Sequence, residues 1–417
     1  MKKYIVILIF VSLIISSCSD DRIIPYRKGN KWGYCNSNKK ILIPCSYDNA
    51  YTFNNNLALV CQNGKYGYID KTGKIVIPII YDKAFVLGLE KDLIFAVQNE
   101  KCGLIDYKGN IVMPFEEEYN DNDPKKPDWL GMYYSYSEEP FIKVENSKYG
   151  FVDRNGRQVI GCSFDYANSF FEGLAKVSVS SSLIYYYLGQ PIEYTIRKDG
   201  FIDKNGKQII PCMYQESAGY GNEGKISISG FNFSNGRVKI MKNKKCGFMN
   251  RAGEETIPCI YDGCSDFKDG FAIVENKNGE NAYPKFGAID TNGNQVIPCT
   301  YDYMTDFSEG LAKVDIFYKP KEKVGYIDFK GKQVIPIIYD RGENFSDGLA
   351  LVTKDGQVGF IDKQGNVIIP FNAQYANYEF GSFHDGLCMV LTISKNINDH
   401  QKVIGYIDKK GTQYWDE

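Results

Sequence analysis

Twelve cysteines give this 417-residue chain its most obvious capacity for chemistry. A thiolate can act as a nucleophile, a metal ligand or half of a disulfide. Five of the twelve share one setting. Cys45, Cys162, Cys212, Cys259 and Cys299 each directly follow a strand-ending proline, or Gly161 in one case. The equivalent place elsewhere holds Ile79, Phe115, Ile337 or Phe371. A position that exchanges Cys for Ile and Phe is a core position, where a thiol serves as a small hydrophobe. The disulfide alternative pairs neighbouring copies, Cys259 with Cys299, which export would permit. Cys259 and Cys264 lack the spacing and partner histidines of a zinc site. No metal site or cofactor is expected.

Other reactive side chains are sparse or plainly structural. Only His384 and His400 are available as bases, and Phe383-His384-Asp385-Gly386 reads as a solvated turn. A serine or cysteine nucleophile would need one of these two histidines. Glu116-Glu117-Glu118 and Glu138-Glu139 have the composition of a glycosidase acid and base, but a solvated loop explains them more simply. Asp290-Thr291-Asn292-Gly293 mimics part of a calcium loop, yet Tyr301 stands where the closing Glu is needed. Gly200 and Gly206 lie on a hairpin and form no dinucleotide fingerprint. The chain reads as non-enzymatic.

The elements that carry these residues are repeated. Aligning on the glycine of an aromatic-glycine pair gives Gly33, Gly67, Gly103, Gly150, Gly200, Gly247, Gly287, Gly325, Gly359 and Gly405. The closest steps are 34 residues, and longer steps contain insertions. Within residues 323–352, Gly325-Tyr326-Ile327-Asp328 alternates faces as a strand does. Asp-x-x-Gly then makes a turn: Asp accepts from the backbone two residues on, and Gly supplies the left-handed residue. The returning strand ends at Pro336, which cannot donate to a ladder. Tyr339-Asp340 opens a connector, also assigned to turn hydrogen bonds, that closes at Phe345-x-x-Gly348. Leu349-Ala350-Leu351-Val352 is the third strand. The predicted fold is all-β: a tandem array of about ten ~34-residue, three-stranded antiparallel units, open and twisting, with propeller-like closure as the alternative. Insertions fall near 119–140, 178–198, 215–230, 371–382 and 392–402. The first is Pro- and Asp-rich, and the second contains Leu183-Ile184-Tyr185-Tyr186-Tyr187-Leu188, apolar enough for an extra strand or edge hairpin.

Lys31-Trp32-Gly33, Lys65-Tyr66-Gly67-Tyr68-Ile69-Asp70 and the Ile-Pro-x-x-Tyr-Asp and Phe-x-x-Gly-Leu-Ala-x-Val blocks resemble the WG (KWG) repeat family over roughly residues 28–415. The signature Trp survives at Trp32, with Tyr66, Tyr149 and Phe286 as aromatic substitutes and Cys102 and Cys246 departing from the pattern. The resemblance implies a β-rich array with an interaction role, often in exported bacterial proteins, and no single reaction.

The first residues point to export. Lys2-Lys3, an apolar run from Tyr4 to Ile15 and small Ser16-Ser17 form a signal peptide over 1–17. Ile15-Ser16-Ser17-Cys18 resembles a bacterial lipobox, so Cys18 is the expected lipid attachment site and 18–27 a lipidated linker before the array at 28–417. Removing Cys18 leaves eleven cysteines, so at least one must be unpaired within the chain. Without Lys2 and Lys3 the balance is 47 basic against 51 acidic residues, a net of −4. That balance argues against nucleic acid as a partner and against a polybasic membrane surface. The expected protein is lipid-anchored in the bacterial cell envelope, at the outer membrane and facing either the periplasm or outward. It would present a scaffold for a protein or peptide, or alternatively for a glycan. Trp129, Tyr133, Tyr134, Tyr185 and Tyr186, in the insertions, are the expected partner contacts.

Overall fold

The computed structural model describes residues 22–87, 93–119, 141–153, 157–187, 190–215, 225–277, 279, 282–318, 321–393 and 402–416. Among the described residues ten small antiparallel sheets of three or four strands follow one another along the chain. Numbered as units 1 to 10, they span 24–47, 49–81, 83–118, 141–164, 166–215, 227–261, 263–301, 303–339, 341–372 and 378–408. The tandem array read from the sequence is present. Its sheets, however, are offset from the sequence repeat. In residues 323–352 the strands 321–328 and 333–339 belong to unit 8, whereas 341–342 and 349–354 belong to unit 9. The chain changes sheets at Tyr-Asp, so Leu349–Lys354 pairs forward onto Gln357–Asp362.

Local chemistry sets each strand order. Two turns of the unit place both central residues at positive φ, such as Asn63 and Gly64, or Glu309 and Gly310. That is the geometry matching the twist of a two-residue hairpin. At the Asp-x-x-Gly turn, Asp70 Oδ1 accepts from the backbone of Thr72 at 2.9 Å and Lys74 at 3.0 Å, with Gly73 at φ +86°. Asp290 accepts likewise from Asn292 and Asn294, which accounts for the calcium-like sequence there.

The Asp of Tyr-Asp does something other than close its own turn. Asp302 accepts from Lys285 Nζ, 17 residues back, at 2.5 Å and from the backbone N–H of Phe317 at 2.9 Å. The lysine of the Lys-aromatic-Gly block thus meets the connector and the next hairpin at one carboxylate. Lys31–Asp48, Lys65–Asp82, Lys148–Asp165, Lys245–Asp262 and Lys323–Asp340 repeat the pairing.

The repeated glycine solves a packing problem. A Cβ on Gly287 would lie 2.4 Å from the Ile297 carbonyl oxygen and 2.8 Å from the Cys299 nitrogen. The fourth strand bulges across the third at this glycine, where the register shifts between Phe286 and Ala288. The post-proline cysteine is thereby carried over the glycine, with Cys299 Sγ 3.8 Å from the Val274 carbonyl on the strand beyond. Cys45, Cys212 and Cys259 make the same crossing. These thiols are half-buried, filling a crease more than a core.

Apolar clusters lie between successive units. Ile257, Phe267 and Val274 join unit 6 to unit 7, and Ile335, Phe345 and Val352 join unit 8 to unit 9. The last strand of units 1 to 9 is an edge, and an exposed proline interrupts it in all of these but unit 4, from Pro44 and Pro78 to Pro336 and Pro370.

The two ends of the array meet. Arg27 N–H donates to the Tyr414 carbonyl at 3.4 Å, and Asp416 N–H donates to the Arg27 carbonyl at 3.0 Å. Tyr414 also pairs back onto Tyr406, so the last residues bridge the final sheet to the first. Trp32 packs edge-on to Tyr406 with ring centroids 6.2 Å apart, inside a core shared by units 1, 2 and 10. Joined ends are what propeller-like closure requires.

Candidate functional site

Two adjoining hollows of about 540 and 410 Å³ run along units 7 to 10 and share Asn344. They lie against the short first strands and the Phe-x-x-Gly connectors. In the first hollow Tyr303 is 43% exposed, beside Phe286 at a centroid distance of 5.5 Å and with Lys313 Nζ 5.5 Å from its ring. Thr305 Oγ1 donates to Asn344 Oδ1 at 2.8 Å and accepts from the Lys313 backbone N–H. Ser265, Lys268, Glu275 and Asp306 complete the polar lining.

A relay of turn contacts holds the rim. Ser308 Oγ donates to the Phe345 carbonyl and Ser346 Oγ to the Phe383 carbonyl, both at 2.6 Å. Glu309 accepts from the Gly348 N–H at 2.9 Å, and Asp347 from the Gly386 N–H. Lys409 Nζ reaches Asp347 at 2.7 Å. Each connector thus caps the turn of its neighbour, fixing one unit's tip by the previous one.

Elsewhere one departure from the repeat is buried. Asp199 stands before the repeated glycine, where units 1, 2, 4 and 7 carry an aromatic residue, and is 1% exposed. It pairs with Lys176 Nζ at 2.8 Å and accepts from Ser178 Oγ at 2.6 Å, while Lys176 also donates to the Ile228 carbonyl of unit 6 at 3.2 Å. Asp315 is 4% exposed, and burial together with nearby Glu322 pushes its carboxyl up to about 6 against the pull of Lys313.

The residues singled out from the sequence do not assemble around these features. Cys18, Trp129, Tyr133 and Tyr134 lie outside the described residues, as do Glu138, Glu139 and His400. Tyr185 and Tyr186 are near the tip of a hairpin of two 14-residue strands, Leu174–Tyr187 and Gln190–Asp203, paired with Ile192 and Pro191. Over 183–187 the apolar run is therefore part of a hairpin that prolongs the two central strands of unit 5. His384 Nε2 lies 3.4 Å from Asp385, both largely solvated. Burial pushes Cys35 and Cys388 up to about 12 and Cys212 and Cys259 up to about 11, which keeps these thiols protonated and unreactive at neutral pH. Among the described residues no group of three or more His, Cys, Asp or Glu is placed to hold a metal ion.

Among the described residues one disulfide is present, where the sequence favours thiols and offers only Cys259 with Cys299 as the alternative pair. Cys246 is bonded to Cys264, whereas Cys259 and Cys299 are free. The sequence reading placed Cys246 at an aromatic position and treated Cys264 only as a failed zinc ligand. Tyr303 and Asn344 were missed as well. The unit itself offered little signal: Tyr303 stands where Asn49, Lys83, Gly263 and Arg341 stand in other copies, but Tyr166 repeats it in unit 5.

Comparison with curated proteins returned no match. Among solved structures, a eukaryotic initiation factor aligns over 84% of this chain and 96% of its own, at 11% identity and a TM-score of 0.48. Hsv2p of Kluyveromyces lactis aligns over 57% of this chain and 96% of its own, at 9% identity and a TM-score of 0.30. Prolyl oligopeptidase B from Galerina marginata aligns over 79% and 54%, at 9% identity and a TM-score of 0.32. At such identities no activity transfers. The WG containing repeat model matches residues 32–66, 66–102, 149–180, 200–246, 247–280, 286–316, 325–357 and 359–392. With more than half of its length matched unit after unit, the chain belongs to the WG-containing repeat family.

Proposed function

We propose that this chain is a non-catalytic scaffold of the bacterial cell envelope, anchored by lipid on Cys18, that holds an extended polypeptide of a partner along units 7 to 10. The observation that carries the reading is the pair of adjoining hollows sharing Asn344. An extended peptide needs alternating apolar contacts and hydrogen-bonding groups. The hollows supply Tyr303 and Phe286 beside Thr305, Asn344 and Lys268. Hydrolysis has less support: the thiols whose acidity is shifted are raised by burial, and His384 is solvated. A glycan is the second candidate ligand, because an exposed Tyr303 ring can stack on a sugar face.

The test is capture from envelope extract on immobilised mature protein, beside a glycan array. Wild type should retain a polypeptide that the Tyr303→Ala/Asn344→Ala variant releases. Equal retention by both proteins would show that the hollows are not the site. A glycan signal abolished by the same variant would move the assignment to sugar. Turnover of peptide or glycoside substrates lost on replacing Glu117 or Glu138 would overturn the non-catalytic reading.

A further inference from the structure

We infer that the outer strands of units 9, 1, 2 and 3 form an apolar arc that rests on the surface of an anionic lipid bilayer. The inference builds on the Cys18 anchor proposed above and adds which edge of the array faces the lipid.

The first residue of the outer strand is exposed in units 1 to 9, so packing does not dictate its type. In units 1, 2, 3 and 9 it is Ile41, Ile75, Ile111 and Val367, exposed by 41, 50, 64 and 49%. In units 4 to 8 the same position holds Gln158, Gln208, Glu255, Gln295 and Gln333, all exposed. Leu42 and Ile368, the next residues in units 1 and 9, are exposed by 45 and 42%. The following position is apolar in most units, Val159 included, and does not distinguish the arcs. Unit 10 interrupts the run with Gln413, but its ends join it to unit 1, so the apolar positions occupy one side of the array.

That side is where the chain enters. Ile24 begins the first strand, six residues after Cys18. Six residues span at most about 20 Å. A lipid on Cys18 therefore holds the joined units 10 and 1 close to the bilayer, and the exposed isoleucines and valine lie in the units flanking that junction. Basic side chains stand beside them: Lys39 and Lys40 precede Ile41, Lys71 and Lys74 precede Ile75, and Lys108 is three residues before Ile111. Apolar residues that enter the headgroup boundary, with lysines reaching back to phosphates, are the composition of an interfacial surface. The same turn carries Lys204 and Lys207 in unit 5 and Lys330 and Lys332 in unit 8, so the apolar residues, and not the lysines, distinguish this arc. A second copy pairing edge to edge is the competing occupant, and Pro44, Pro78, Pro114 and Pro370 interrupt the strands it would need.

Binding to vesicles of phosphatidylethanolamine and phosphatidylglycerol in equal parts tests the inference, using residues 18–417 with Cys18→Ser so that no lipid is attached. Wild-type sequence should float with the vesicles. The variant Ile41→Gln/Leu42→Gln/Ile75→Gln/Ile111→Gln/Val367→Gln should bind about tenfold less or weaker still. These glutamines copy units 4 to 8, and an unchanged circular dichroism melt confirms folding. A control with Met213→Gln/Ile260→Gln/Ile338→Gln, on the other units, should bind as wild type. Equal binding by wild type and the arc variant, or equal loss in the control, overturns the inference. So does a wild-type dimer in light scattering that the arc variant abolishes without any vesicle binding. Mass spectrometry of Cys18 in the natively expressed protein reads the anchor separately. An unmodified Cys18 sinks the anchor alone, whereas vesicle binding indifferent to the arc sinks the arc alone.

Discussion

Cys246 and Cys264, bonded across units 6 and 7, occupy the place that an aromatic ring and a small residue fill between other units. Trp32 with Ala50, Tyr66 with Ala84 and Tyr149 with Ala167 are the same two positions, each pair sharing one core cluster. In every case the spacing is 18 residues, from the residue before the repeated glycine to the first strand of the next sheet. The disulfide is thus a covalent version of a contact that elsewhere is apolar. Closing a loop of that length stabilises a chain by about 3 kcal/mol. Reduction, or Cys264→Ala, should lower the melting temperature, whereas Cys246→Tyr/Cys264→Ala should recover most of the loss by restoring the ring and alanine. A double variant no more stable than Cys264→Ala would show that the two solutions are not equivalent.

Gly287 makes the strictest demand on residue type. The atoms that a Cβ would meet at 2.4 and 2.8 Å are the backbone of Ile297 and Cys299, held by the bulge, so a side chain cannot swing aside. Gly287→Ala should cost about 2–3 kcal/mol or more, as overpacked sites do. Gly270→Ala is the comparison. It has open space around it but a φ of +87°, so its cost should be about 1–2 kcal/mol. Urea melts of the two variants give the order directly, and a milder effect at Gly287 would refute the bulge argument.

How far the sequence spoke depended on how often it repeated itself. Asp70 and Gly73 were legible because the turn they make is local and recurs. The offset between repeat and sheet was not, since Leu349–Lys354 is compatible with pairing to either side and only the register decides it. The Lys285–Asp302 contact escaped because it joins residues 17 apart whose roles seemed local. The Cys246–Cys264 bond required knowing which positions face each other between units. The junction at Arg27 and Tyr414 involves two copies each lacking part of the pattern, which repetition cannot supply. The hollows around Tyr303 and Asn344 arise from stacking three units and have no counterpart within one.

Acid should unfold the array through its repeated aspartates. Hydrogen bonds from Lys31, Lys65, Lys148 and Lys245 hold Asp48, Asp82, Asp165 and Asp262 below the usual carboxylate range. A folded value below the unfolded one gives stability that is complete above about pH 4 and lost as pH falls through the folded values. These pairs are solvated, so Lys245→Ala alone should cost under about 1 kcal/mol at neutral pH. The recurrence should nevertheless produce a melting temperature that drops steeply below pH 4. A flat profile there would show that the pairs contribute nothing.

Asp315 runs the opposite way. Its folded value of about 6 exceeds that of the unfolded chain, so stability present below about pH 4 is lost as pH rises through about 6. Asp315→Asn should remove this loss and stabilise the protein at pH 7 by about 1 kcal/mol, with little change at pH 4. Thermal melts at the two pH values make the comparison. Equal shifts at both would mean that ionisation of Asp315 is not the cause.

The buried pair of Lys176 and Asp199 should be the most sensitive single contact of unit 5. Both groups have left water, and they are compensated by each other, Ser178 Oγ, the Ile228 carbonyl and the Phe231 ring 5.9 Å from Lys176 Nζ, with Arg197 Nε 3.9 Å from Asp199. Lys176→Met removes the principal counter-charge and should cost about 3–5 kcal/mol, because the carboxylate then stays buried without it. Asp199→Phe alone strands the ammonium and should be comparably damaging. Together, Lys176→Met/Asp199→Phe rebuilds the apolar arrangement of the units that carry an aromatic before glycine. The double variant should therefore be more stable than either single one, giving a large favourable coupling in a double-mutant cycle. Additive losses would show that the two charges act independently, and that unit 5 retains them for something other than their mutual compensation.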